Sequence, residues 1–186
     1  MGYCLPRLSA LEGAGFAIAQ LLLLAASSGS VNRLNVTAAA ALERFEEVKD
    51  WPRLPLGVQL GEVSGVAVDV NGHVLVFHRP GRGFDTTATE RIADPTVLEL
   101  AADTGTLIAS WGANMFLVPH GITVDGANNV FVTDVGLQQV LKFTHDGRPL
   151  ITLGEPRVGA WDGTHFNQPT DVAIRPDGSF FVSDGY

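Results

Sequence analysis

The chain has 186 residues, 46% apolar, 17% charged and 8% aromatic, which fits one globular domain and excludes a disordered or collagen-like chain. Twelve Lys and Arg against 20 Asp and Glu leave a net charge of -8, and no basic run could follow a phosphate backbone, so nucleic acid is not an expected partner. Cys4 is the only cysteine, which excludes a disulfide within the chain and every Cys-based zinc motif.

Residues 14–26 form an apolar run of 13 residues, with Arg7 before it and Ser27, Ser28, Gly29 and Ser30 after it. The run is short for a membrane-spanning helix, and residues 1–30 have the layout of a secretory signal. Glu12 departs from that layout, which leaves an uncleaved anchor and a buried helix as the other readings. Export would place the protein in the secretory lumen or outside the cell, and would make Asn35, followed by Val36 and Thr37, a glycosylation acceptor. Residues 37–49 are rich in helix formers, with Leu42, Phe45 and Val48 on one stripe, so residues 31–50 read as a helical or linker lead-in.

From Trp51 the texture changes to short apolar runs broken by Gly, Asn and Asp. Residues 64–79, 120–135 and 170–185 align without a gap, their starts offset by 56 and 50 residues. Each reads as a strand, a turn containing Asn-Gly, Asn-Asn or Asp-Gly, and a second strand. Residues 97–112 and 140–154 supply a further hairpin between successive units. Four antiparallel strands recurring about every 50 residues are the blades of a β-propeller, an all-β fold. Residues 51–186 hold about two and a half such blades. Since propellers close with four to eight, the chain is expected to be part of a longer propeller domain.

In a hairpin, the start of the first strand and the end of the second share one sheet edge. Ser64, His120 and Thr170 are therefore expected at one face of the disc with Arg79, Val135 and Gly185, and Tyr186 follows at the same edge. An imidazole, a guanidinium and a phenol at a channel mouth would suit a reaction or binding site. Each also has a plainer reading: His120 as a turn hydrogen-bond partner, Arg79 as a surface ion pair, Tyr186 as a frayed terminus. His73 and His78, five apart, do not suit a shared metal. His145 reads as solvated in a turn, and His165 as orienting the loop before the third unit. Asp134 and Asp184 read as acceptors of backbone hydrogen bonds between blades.

The phrases around these residues, Phe77-His78-Arg79, Pro119-His120-Gly121, Gln168-Pro169-Thr170-Asp171 and Ser183-Asp184-Gly185-Tyr186, resemble those of the peptidyl-α-hydroxyglycine α-amidating lyases, which are propellers of NHL-repeat type. The resemblance implies six four-stranded blades when complete and a lyase that cleaves peptidyl-α-hydroxyglycine to an amidated peptide and glyoxylate, the second step of peptide C-terminal amidation. It implies a catalytic Zn2+ held by three histidines, of which His120 is the one in this chain, and a structural Ca2+ bound partly by the backbone carbonyls of Val66 and Ile122. Arg79 and Tyr186 match the catalytic arginine and tyrosine. Asn167 departs from the pattern, standing where many members have a cysteine, and the loop over residues 80–94 is shorter than in animal members. The partner implied is a peptide ending in α-hydroxyglycine, with no stable membrane span, and the 186 residues alone are expected to be inactive. A non-catalytic NHL-repeat propeller that binds a protein or peptide is the alternative. A calcium-dependent lactonase is less suited, because it would need an acidic channel.

The leader reading predicts a mature N-terminus near Ser28 or Ser30. N-terminal sequencing of protein from the native host checks it, and a chain still beginning at Met1 in the cytosol would refute export.

Overall fold

The computed structural model describes residues 4–5 and 45–185, and the chain divides into two units, Met1–Lys49 and Asp50–Tyr186. In the first unit, β1 (Cys4–Leu5) pairs antiparallel with β2 (Glu46–Glu47). The leader, Asn35 and residues 37–44 of the expected helix lie outside the described residues. Residues 45–49 correct the helical expectation: they hold β2 rather than a helical turn, and Phe45 and Val48 of the supposed stripe are exposed. A short helix depends on burying such a stripe.

The second unit is built of antiparallel sheets. The first blade is β3 (Glu62–Val68), β4 (Val74–Arg79), β5 (Val97–Leu100) and β6 (Leu107–Trp111), hydrogen-bonded in that order. The second is β7 (Pro119–Val124), β8 (Val130–Asp134), β9 (Gln139–Phe143) and β10 (Pro149–Leu153), with the same order. A third hairpin pairs β11 (Pro169–Ile174) with β12 (Phe180–Asp184). These are the propeller blades that the repeat predicts. The first strands pack against one another across blades, β3 on β7 and β7 on β11, so they form the innermost row.

Four hairpin turns share one backbone form. The residue opening each turn donates its N–H to the carbonyl four residues on and accepts from the N–H three residues on: Asp69 with His73 and Gly72, Asp125 with Asn129 and Asn128, Thr144 with Arg148 and Gly147, Arg175 with Ser179 and Gly178. Such a loop needs a left-handed residue at its third central position, and Gly72, Asn128, Gly147 and Gly178 occupy it at φ of 85°, 64°, 86° and 84°. The Asn-Gly, Asn-Asn and Asp-Gly signals thus mark the residue types that tolerate that conformation.

Between the blades, Leu75, Phe77 and Val97 of the first interlock with Ile122, Val130, Val132 and Phe143 of the second, with Phe116 edge-on to both Phe77 and Phe143. Phe131, Val140 and Val172 join the second blade to the third hairpin. The other face of the first blade, Val74, Val76, Leu98 and Leu100, is covered by Trp51, Leu54, Val58 and Leu60 from the segment that precedes β3. The Trp51 indole N–H anchors that segment by donating to the Ala102 carbonyl at 3.2 Å.

At the end of each second strand a side chain accepts from the connection that enters the blade. Asp134 accepts from the N–H groups of Leu117 and Val118, and also from those of Gly136 and Leu137. Asp184 accepts from Asn167 N–H. In the first blade the same place is taken by His78, whose Nδ1 accepts from Gly61 N–H at 3.0 Å. The donors Gly61, Leu117 and Asn167 keep the same 56- and 50-residue offsets as the acceptors. This corrects the reading of Asp134 and Asp184 as links between blades, because each ties the incoming connection to its own blade.

Asp134 is fully buried, and burial pushes its carboxyl up against the pull of the backbone donors at Leu137, Val118, Leu117 and Gly136. Replacing it with Ala would leave several buried N–H groups without an acceptor, so Asp134→Ala should lower stability by about 3 to 5 kcal/mol, measurable by urea denaturation of the full chain. Burial lowers the affinity of the His78 imidazole for protons, against the Pro95 carbonyl and the Asp94 carboxylate. An unfolded His titrates near 6.5, so the stability that depends on neutral His78 is present above about pH 6.5 and falls as the pH drops below it. Denaturation curves between pH 7.5 and 5.5 should show that loss, and His78→Asn should flatten it.

Candidate active site

The inner strands open irregularly. The pairing of β3 with β4 slips between Val63 and Gly65, that of β7 with β8 between Pro119 and Ile122, and that of β11 with β12 between Pro169 and Asp171. Ser64, His120 and Thr170 therefore sit in three equivalent bulges, a device that re-aims a side chain at a sheet rim. In two of them the side chain is spent on the partner strand: the Ser64 hydroxyl donates to the Phe77 carbonyl at 3.2 Å and the Thr170 hydroxyl to the Ser183 carbonyl at 3.0 Å. His120 does otherwise. Its Nδ1 lies 2.7 Å from the carbonyl oxygen of Thr170, on the next blade.

That reach depends on Gly121. A Cβ there would stand 2.5 Å from the Thr170 oxygen, so only glycine lets β7 come this close to β11. Thr133, opposite the bulge, accepts from Gly121 N–H at 2.8 Å and donates to the same Thr170 carbonyl at 2.9 Å. One carbonyl thus accepts from both an imidazole and a hydroxyl. With Nδ1–H as donor, the lone pair of the neutral ring is on Nε2. A carbonyl holding one ring nitrogen in this way is the usual support of a metal-ligating histidine.

Arg79 ends β4 at the same face and is only 5% exposed. Its Nη2 is 3.5 Å from Glu62 Oε1, and its guanidinium lies 5.3 Å from the centre of the Phe84 ring. Its Nε and Nη1 are buried without a hydrogen-bond partner among the described residues. A buried guanidinium with two nitrogens unused has hydrogen-bonding capacity left for an anion. Glu62 also accepts from Phe84 N–H at 3.0 Å, so one carboxylate fixes both the arginine and the loop after it. Phe84 in turn stands edge-on to His120 at 6.2 Å, so Arg79 and His120 are neighbours of the same ring. The sequence reading missed Glu62 and Phe84. Glu62 could have been found from its place opposite Arg79 across the hairpin, whereas nothing in the pattern marks Phe84.

Tyr186 lies outside the described residues, although Gly185 before it is held by donating its N–H to the Gln168 carbonyl. Val66 and Ile122 occupy equivalent places on β3 and β7, opposite Val76 and Val132. His165 orients its loop as expected, with Nδ1 2.8 Å from Asp162 Oδ2; hydrogen bonding to that carboxylate, then to Glu155, raises its pKa. His145 departs from the solvated reading: its side chain is three-quarters buried, and Nε2 lies 3.1 Å from Asp69 of the first blade.

No family model matches the chain. Among curated proteins it is 40% identical over 155 residues to the peptidyl-glycine α-amidating monooxygenase B of Xenopus laevis, covering 76% of this chain and 18% of that protein. It is 39% identical over 150 residues to the peptidyl-α-hydroxyglycine α-amidating lyase 1 of Drosophila melanogaster, covering 73% and 27%. With a probable lyase of the same name from Caenorhabditis elegans the identity is 36% over 138 residues, covering 69% and 39%. The chain thus spans well under half the length of these relatives. Among solved structures, a streptogramin B lyase aligns at 15% identity and a TM-score of 0.47, over 76% of this chain and 38% of that one. Along about three quarters of its length, the chain is a homologue of the peptidyl-α-hydroxyglycine α-amidating lyases.

Proposed function

We propose that the protein carrying this chain cleaves peptidyl-α-hydroxyglycine to a C-terminally amidated peptide and glyoxylate. The buried, half-unpaired guanidinium of Arg79 beside His120 is the observation that carries the reading. In the reaction the hydroxyl on the glycine Cα loses its proton, the Cα–N bond breaks, the nitrogen leaves as the peptide amide and picks up a proton, and the remaining two carbons leave as glyoxylate. No water is consumed.

Arg79 binds the terminal carboxylate of the substrate, which becomes that of glyoxylate. Its Nε and Nη1 each keep an N–H to donate towards that carboxylate, while Glu62 and Phe84 flank the guanidinium. His120 fits a zinc ligand, since the Thr170 carbonyl on Nδ1 assigns Nε2 to the metal. One imidazole does not make a zinc site, and the other ligands come from outside the described residues. When bound, zinc lowers the pKa of a coordinated hydroxyl and stabilises the negative charge that develops on its oxygen. Tyr186 is assigned as the base that takes the hydroxyl proton, from the resemblance at Ser183 to Tyr186. A phenol near pKa 10 can serve only beside positive charge, and Arg79 supplies some of it. The backbone carbonyls of Val66 and Ile122, at equivalent places on β3 and β7, would be two ligands of a structural calcium.

The same reading takes residues 1–30 as a leader for export and Asn35 as a glycan acceptor. Among the described residues, no helix is long and apolar enough to cross a membrane.

Glyoxylate release from a hydroxyglycine-terminated peptide tests the assignment, with zinc measured on the same samples. Tyr186→Phe should lower turnover on the order of 10²- to 10⁴-fold at unchanged zinc content. His120→Ala should lose zinc and activity together, and Arg79→Lys should raise KM as well as lower kcat. Full activity in all three variants would remove the site, whereas no glyoxylate release from the unsubstituted complete protein would favour a peptide-binding propeller without catalysis.

A further inference from the structure

At the far end of the first blade, roughly 17 Å along β4 from Arg79 at about 3.3 Å per residue, four metal-ligating side chains meet. Asp69 and His73 come from the β3–β4 turn, Glu99 from β5, and His145 from the β9–β10 turn of the second blade. His73 Nδ1 is 2.7 Å from Glu99 Oε1 and 3.4 Å from Asp69 Oδ2. His145 Nε2 is 3.1 Å from Asp69 Oδ2, and its Nδ1 is 3.7 Å from Glu99 Oε2. The Asp69 carboxylate is wholly buried and that of Glu99 nearly so, while the two rings reach the surface and leave a way in.

The second blade shows what this place ordinarily holds. There Asp125 stands at the position of Asp69, Asn129 at that of His73 and Lys142 at that of Glu99. Lys142 pairs with Asp125 at 2.9 Å, and Asn129 donates to the same carboxylate. In the first blade the lysine is replaced by a glutamate and the asparagine by a histidine. Two buried carboxylates now face each other where the sister blade has a salt bridge, and such a pair needs a cation. The His145 Nε2 is shut off from solvent and makes no hydrogen bond despite its closeness to Asp69, so its orientation is not that of a hydrogen-bonded pair.

We propose that Asp69, His73, Glu99 and His145 bind a divalent transition-metal ion of the zinc type, clamping the first blade to the second. Two imidazoles and two carboxylates are a common donor set for such an ion and neutralise its charge. Asp69, His73 and Glu99 each bring a ligand atom within 4.8 Å of the others, and His145 Nε2 joins them at 3.1 Å from Asp69 Oδ2. Four protein ligands leave no open position, so the role is structural. This site is separate from the one at His120 and does not rest on the lyase reading.

Calorimetric titration of the full chain with zinc chloride, in a His120→Ala background that removes the other candidate ligand, tests it. One equivalent should bind and raise the melting temperature. His145→Asn and His73→Asn, both partly exposed positions, should each weaken binding at least 100-fold while circular dichroism stays unchanged. Substituted cobalt(II) should show visible absorption bands of a tetrahedral ion, lost in the same variants. Absence of binding, or binding unchanged in both histidine variants, would overturn the site and leave an ion-pair cluster between blades.

Discussion

Everything at the proposed reaction face hangs from a side chain at the end of each second strand that captures the N–H groups of the incoming connection. Asp134 does this most fully, with backbone donors at Leu117, Val118, Gly136 and Leu137. Its carboxylate sets where the chain turns into β7, and so where the bulge at His120 falls relative to Thr133 and Thr170. A buried carboxylate with this many backbone donors is costly to place and costly to move. The inner strands therefore begin at defined heights, and the face of the disc becomes a rigid rim on which a few side chains can differ without changing the frame.

The repeat makes those differences informative. Ser64 and Thr170 spend their hydroxyls on the partner strand, and His120 at the same place does not. Asp134 and Asp184 close their strands as carboxylates, whereas His78 does the same work with an imidazole nitrogen. Lys142 answers Asp125, but Glu99 faces Asp69. The departures at His120 and Glu99 replace a group that serves the blade with one whose bonding capacity is directed elsewhere, whereas His78 keeps the blade's own bond. Comparing the blades with each other thus supplies part of the information that an alignment of relatives would.

Much of this was legible in the sequence. Glycine- and asparagine-bearing turns and the ungapped alignment of three hairpins specify four-stranded blades, and hairpin geometry alone brings Arg79 and His120 to one face. The helix over residues 37–49 failed where it can be compared, because a three-residue spacing of Phe45 and Val48 says nothing about whether a surface exists to receive them. The bulges were not legible: a register shift of one residue leaves the apolar alternation after it intact. Nor were Phe84 and the Asp69 cluster, whose members are brought together by packing between blades and not by spacing along one strand. His145 looked solvated because its own turn is at the surface, and only the neighbouring blade hides it.

The acceptor that orients His120 is the main-chain oxygen of Thr170, and this has an evolutionary consequence. Side-chain substitutions at residue 170 leave that oxygen in place, so the imidazole's orientation is buffered against point mutation at the position that provides it. The vulnerability is transferred to length. An insertion or deletion in the loop over residues 155–168, where sequence drift is ordinarily cheap, would shift β11 along its axis and carry the carbonyl away from the ring. Divergence in this lineage should therefore be freer in the exposed side chains of that loop than in its residue count.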